Sequence, residues 1–424
     1  MIALLTGLAL AVTPLTPTPA TAERCQVVRA ADVVHTPAGP QRGWTVVMER
    51  GRITWLGPTS FPDARCGPTA CDCMDGAGKQ VTAGLIEAHS QLGLIEIDLE
   101  SRTADVDGGG DPVRAALRAA DAYDPGSIVI PVQAVAGVTG TITHPSGGRI
   151  AGQSAYVQLR GDTQADAVVV PTAGMDASFR VDPSRAGDLL ALEELLADAR
   201  AYRSNAAAFE RNQVRQLAAS QRDLEALLLV LDRKIPLVVA VDRAPDIEAL
   251  LRLQRAFGFR LIIEGGAEAW RVAPALAAAG VPVVLDPMVY GPASMDQLAG
   301  RSDNAALLAA AGVPVVISTF ATHNARLLRQ SAGNAVRGGM APQAALDAIT
   351  RAPADAYGLA DRGRLALGSV ADVVLWTGDP LELATTAAAV WIGGEPVPLV
   401  SRQTLLRDKY RKLPGSPVSV LPLP

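Results

Sequence analysis

The sequence predicts an α/β chain: a (β/α)8 TIM-like barrel flanked by a small β-sandwich made from both chain ends. Three observations carry this. Short β-branched runs recur through the middle of the chain, at Ile128-Val-Ile-Pro131, Leu237-Val-Val-Ala-Val241, Leu261-Ile-Ile263, Val281-Pro-Val-Val-Leu285 and Val313-Pro-Val-Val-Ile-Ser318. Such runs mark fully buried parallel strands. Helical patterns at 247–256 and 270–279 separate them, each stopped by a glycine signal before the next strand. Strand patterns also crowd both ends of the chain. A doubly wound sheet is the alternative, but no Gly-x-Gly-x-x-Gly follows an early strand.

Taken in order, residues 1–22 read as a secretory signal. Ile2 to Leu15 is apolar, and Ala20-Thr-Ala22 supplies a small-x-small cleavage site. The rival reading, a membrane anchor, meets an apolar run that holds Pro14 and is shorter than a span. The expected location is therefore exported, periplasmic or extracellular, with no membrane span after cleavage. Residues 23–80 and 360–410 form the composite β-sandwich. Trp44 to Gly57 is a hairpin that turns at Arg50-Gly51. Gly363 to Pro380 and Ala388 to Glu395 are the strand-like stretches of the other end. Residues 81–359 form the barrel, and 411–424 a Pro-rich tail.

All four cysteines, Cys25, Cys66, Cys71 and Cys73, lie early in the mature chain. An even count in an exported protein reads as two disulfides. A four-thiolate zinc site is the rival, but paired Cys-x-x-Cys spacing is missing. Cys71 and Cys73 stand too close to pair with each other, and the connectivity is otherwise open. The 424 residues carry a net charge of −5 and no basic block, which argues against nucleic acid.

Several segments resemble the amidohydrolase superfamily, in particular its secreted imidazolonepropionase-like branch. They are Gly51 to Gly57, Thr82 to His89, Ala136 to Thr139, Ser146 to Gln153, Asp303 to Leu308, His323 to Arg326, Ala344 to Ala354 and Gly363 to Pro380. The resemblance implies a barrel with a flanking sandwich, and hydrolysis of amide or cyclic-amide C–N bonds. One or two divalent ions at the barrel mouth would make hydroxide from bound water. Family ligands are His-x-His after the first strand, a Lys or Glu after the fourth, His after the fifth and sixth, and an Asp after the last.

Carried over residue by residue, His89 matches the first metal ligand and Gln91 replaces the second. An amide oxygen suits zinc poorly. Ala240 and Gly265 stand where the fifth- and sixth-strand imidazoles are expected, and Phe320 where the last Asp is expected. Lys234 precedes its strand, the wrong end for a bridging ligand. The chain has only four histidines; His35 belongs to the sandwich, and His144 and His323 are read as loop residues. No cofactor is assigned, with zinc or another divalent cation implied only for an active site.

A different site is open to the acids. Asp242, Glu264 and Asp286 each follow an apolar strand, one βα unit apart, at the face where barrel sites lie. They suit a hard cation or a cationic substrate, or else cap helices and pair with Arg243. Asp242 and His323 are the catalytic candidates; Glu264, Asp286 and His144 are candidates for holding a substrate or cation. Asp105 to Asp111 fails as a calcium loop, since Ala116 stands at the twelfth position, and reads as an acidic lid. No Gly-x-Ser-x-Gly elbow is present. Two functions compete: an altered hydrolase on C–N bonds, and a non-catalytic binding or assembly module of a bacterial-type cell envelope. Small-molecule ligands and a homo-oligomer or partner paralogue are the expected partners.

Overall fold

Apolar alternation at the start of the chain yields seven short strands: β1 (Cys25–Ala31), β2 (Val33–Thr36), β3 (Gly39–Gln41), β4 (Trp44–Glu49), β5 (Arg52–Gly57), β6 (Cys71–Asp75) and β7 (Gln80–Ala83). The computed structural model describes residues 25–58, 65–67, 70–179, 184–211, 215–291 and 293–411. The expected signal and the residues from 412 onward lie outside the described residues. The β4–β5 hairpin turns at Arg50 and Gly51, both at positive φ (51° and 74°), which matches the twist of the flanking strands. Disulfides join Cys25 to Cys71 and Cys66 to Cys73. Cys25 and Cys71 face each other in the parallel β1–β6 pair.

The barrel strands are β8 (Leu85–Ser90), β9 (Val138–Thr143), β10 (Ile150–Gln158), β11 (Val168–Ser178), β12 (Leu237–Val241), β13 (Leu261–Gly265), β14 (Val283–Leu285) and β15 (Val315–Ile317), hydrogen-bonded in chain order. Seven run parallel and β10 runs antiparallel to both neighbours. The reason is length: residues 144–149 are too few for a crossover and make a reversal instead. Each strand sends side chains into one interior cluster, including Ile86, Ile142, Tyr156, Ala173, Val238, Ile262, Val284 and Val316. A second apolar layer on the outer strand faces packs against the helices.

The run at 128–131 corrects the expected strand: Val129–Ala134 is a helix. Pro131 lies in its first turn, where the missing N–H needs no partner, whereas in a central strand it would break a ladder. Short apolar runs do not separate buried helix from buried strand by periodicity.

Between β15 and β8 the ring closes through a neighbouring segment. Ile317 N–H donates to the Ala348 carbonyl and Ile86 N–H to that of Ile349, both at 2.9 Å. β16 (Val373–Trp376), β17 (Ala387–Ile392) and β18 (Glu395–Pro396) then join the early strands, giving the sheet order β18-β17-β16-β7-β2-β3. It faces the sheet β5-β4-β1-β6 across a core that includes Val28, Met48, Ile53, Val81, Leu375 and Trp391. The last described segment, Arg402–Arg411, is a helix beside Val129–Ala134.

Candidate functional site

Strand phase decides what faces the barrel mouth. Val238, Ile262 and Val284 point inward, so the residues two further on, Ala240, Glu264 and Asp286, share that face. Ala240 pairs in register with Glu264, and Val241 with Gly265. Glu264 is therefore the sixth-strand residue level with Ala240, whereas Gly265, the position that the resemblance equates with an imidazole, belongs to the next register. Gly265 also has φ 84°, and a Cβ there would lie 2.7 Å from Asp242 Oδ1. Only glycine sits there without strain.

Glu264 receives the Nδ1–H of His89 at 2.8 Å. Burial works against the Glu264 anion, but the His89 charge and hydrogen bond, with help from His144, outweigh it and hold the carboxyl below its usual range. The His89 ring stacks on His144 with centroids 4.1 Å apart and planes 17° apart, and Phe320 lies 5.0 Å from it on a tilt. Phe320 holds a left-handed φ of 49°, which aromatic residues rarely adopt.

His144 is the first residue of the reversal after β9, in a loop as the sequence indicated, and it is fully buried. Its Nδ1–H donates to Asp176 Oδ1 at 2.9 Å and its Nε2–H to the Ala88 carbonyl at 3.0 Å. Burial disfavours the charged ring, yet the Asp176 charge and hydrogen bond, then Glu264 and the Ala88 carbonyl, push its pKa up to about 9. With both nitrogens donating, the ring is an imidazolium. Asp176, on β11, was missed by the sequence reading; its signal is a lone acid inside an apolar strand end, Met175-Asp176-Ala177.

Glu87 was missed for the same reason. It is fully buried in β8 and accepts hydrogen bonds from Ser318 Oγ, from Thr319 N–H (3.1 Å) and Oγ1 (2.7 Å), and from His89 N–H (3.2 Å). Burial pushes its carboxyl up despite those donors. The side chain ties the first strand to the end of the last.

A cavity of about 520 Å³ opens over this arrangement. His89, Asp242, Glu264 and Asp286 line it with Gln297, Arg301, Asn304 and Phe320. The three acids share the cavity without forming one cation cage. Asp242 accepts from Gln297 Nε2 (3.0 Å) and Ala267 N–H (3.2 Å), and Asp286 from Met288 N–H (2.9 Å). Among the described residues, the barrel group with metal-ligand spacing is His89, His144 and Glu264, whose ligand atoms lie within 4.8 Å of one another. This donor set does not fit a two-ion centre: one imidazole is doubly donating, the other is bonded to the only carboxylate of the group. His323 lies away from the cavity wall, with Nε2–H on the Glu96 carbonyl (3.0 Å) and Nδ1 3.1 Å from Asp98. His35 joins Gln80 in the sandwich at 2.8 Å. The 105–111 segment is bridged from Asp107 to Ser146 and does not line the cavity.

The sequence pattern of the amidohydrolase family matches residues 113–398. Among curated proteins, a 57-residue stretch is 42% identical to the amidohydrolase tasK of Hapsidospora irregularis; it covers 13% of this chain and 6% of that protein. Among solved structures, an amidohydrolase from Thermotoga maritima MSB8 has a TM-score of 0.77 at 24% identity, covering 88% of this chain and 99% of its own. An adenosine deaminase from Xanthomonas campestris with bound zinc has a TM-score of 0.53 at 17% identity, covering 92% and 99%. Molinate hydrolase has a TM-score of 0.55 at 16% identity, covering 94% and 97%. At these identities the structures share the fold.

Proposed function

We propose that this chain, which belongs to the amidohydrolase family, has kept the ligand cavity at the barrel mouth and given up the two-metal hydrolytic centre. It then works as an exported, non-hydrolytic small-molecule-binding protein. One observation carries this reading: both imidazoles at the mouth are engaged by the protein's own acceptors, His144 on Asp176 and Ala88, and His89 on Glu264. Zinc requires deprotonated ligand atoms, usually three or four from the protein. Ala240 and Phe320 supply none.

Two disulfides in the first sheet support an oxidising location, periplasmic or extracellular. A second reading has one observation behind it, the spacing of His89, His144 and Glu264. In that case a single divalent ion would be held by these residues once His144 released a partner, and would activate water for C–N bond hydrolysis.

Elemental analysis of the mature protein, purified with zinc present, separates the two. The proposal expects far less than one equivalent of metal and no turnover of dipeptides, acylated amino acids or cyclic imides. Stoichiometric zinc together with hydrolysis that fails in His89→Ala would overturn it.

A further inference from the structure

Resting on the reading of the cavity as a small-molecule site, we infer that its ligand is an organic cation rich in N–H donors, a guanidinium or ammonium compound, with Asp286 as its counter-ion.

Three of the residues that line the cavity each carry a polar side-chain atom buried without any hydrogen-bond partner: Ser294 Oγ, Gln297 Oε1 and Asn304 Oδ1. Asn304 is only 7% exposed. Its Nδ2 donates to the Gly266 carbonyl at 3.0 Å, and Gln297 Nε2 donates to Asp242 at 3.0 Å. Those bonds fix both amide orientations, so what remains on each is an acceptor oxygen. Buried polar atoms in native proteins are normally paired, and two orphaned acceptors and a hydroxyl on residues lining one cavity favour a ligand that brings donors.

Charge selects among donors. Asp286 stands on the inner face at the mouth, bonded to Met288 N–H and, at 3.4 Å, to Ser331 Oγ. Among the described residues no basic side chain pairs with it, and burial pushes its carboxyl up with no cation to offset the effect. The guanidinium that lines the cavity, Arg301, is held bidentately by Asp303 at 2.6 Å on both arms and lies over Trp270. It is thus committed elsewhere, and among the described residues that line the cavity no unpaired Arg or Lys is left to meet an anionic ligand. Phe320 offers an aromatic face, 37% exposed, that suits a cation.

The test is calorimetric titration of the full mature protein with Nα-acetyl-L-arginine amide, Nα-acetyl-L-lysine amide and the neutral isostere Nα-acetyl-L-citrulline amide. At least one cationic probe should bind at least about tenfold more tightly than citrulline amide, as a charge-assisted bond predicts. Asp286→Asn should erase that preference, and Asn304→Ala should weaken binding several-fold, with circular dichroism verifying both folds. Equal binding of all three probes, no binding, or a preference that survives Asp286→Asn would overturn the inference. Metal measured on the same samples keeps the two claims apart. Metal-free protein that ignores both cations overturns the ligand class alone. Zinc-loaded, hydrolytic protein that still prefers a cation overturns the proposed function alone.

Discussion

His89 and His144 lie ring on ring, 4.1 Å between centroids, yet each answers to its own carboxylate, Glu264 for one and Asp176 for the other. His89 comes from β8 and His144 from just past β9, and the acids lie on β13 and β11. The mouth of the barrel is thereby crossed by two imidazole–carboxylate pairs where the resemblance leads one to look for ligands of an ion. Much of the protein's response to pH, mutation and metal follows from that.

The first response is to pH. A free imidazole titrates near 6.5, whereas His144 is held at about 9 in the fold, burial being more than offset by Asp176. The folded state holds this proton more tightly than the unfolded state. Its stabilisation is therefore complete below about pH 6.5 and is lost as pH rises through about 9. Urea unfolding of the wild type should shift to a lower midpoint across that window, and His144→Phe should show a flatter profile. Parallel profiles for the two proteins would contradict the pairing.

Removing Glu87 should open the barrel seam. Glu87→Ala leaves Ser318 and Thr319 without their buried acceptor, at a cost of about 3 kcal/mol. Glu87→Gln keeps an acceptor and should cost less. Chemical denaturation of the two variants checks the order, and amide exchange at Ser318 and Thr319 reports where the loss occurs.

Positions 240 and 265 should respond in opposite ways to an imidazole. Ala240 is the penultimate residue of β12, exposed and lining the cavity, so Ala240→His should fold with a change below about 1 kcal/mol. Gly265→His brings a Cβ against Asp242 at a positive φ and should cost about 2 kcal/mol or more. Melting temperatures of the two variants decide it.

The disulfides should differ in worth. Cys25–Cys71 spans 46 residues of sequence and Cys66–Cys73 only 7. Chain entropy assigns them about 4 and about 2.5 kcal/mol respectively. Paired serine substitutions, compared by denaturation under oxidising conditions, should show the larger loss for the longer loop.

The parallel strands β12 to β15 were legible from β-branched runs alternating with helical patterns, although the like run at 128–131 proved to be a helix. The β10–β11 pair was not: Gln153 and Ser154 are buried inside β10, and such polar letters hide a strand, Gln153 being paired there with the Ala115 carbonyl and the Thr172 hydroxyl. His89 was legible through its apolar strand and neighbouring motif. The inward direction of Glu264 was not, because a two-residue period gives no phase until the register with β12 sets one. Nor could spacing announce the meeting of His144 with Asp176, since it rests on the reversal of β10 between their two strands.

The composite sheet also sets an order of events. β7 lies between β2, a near neighbour in the chain, and β16, nearly three hundred residues later. During synthesis one edge of β7 stays bare until almost the whole barrel has been made, and bare strand edges recruit other chains. The first sheet, by contrast, is complete and cross-linked within its own segment. A chain of this design has one half of its sandwich able to close at once and the other half waiting. It is in that interval that a chaperone, or a second copy of the protein, has most to bind.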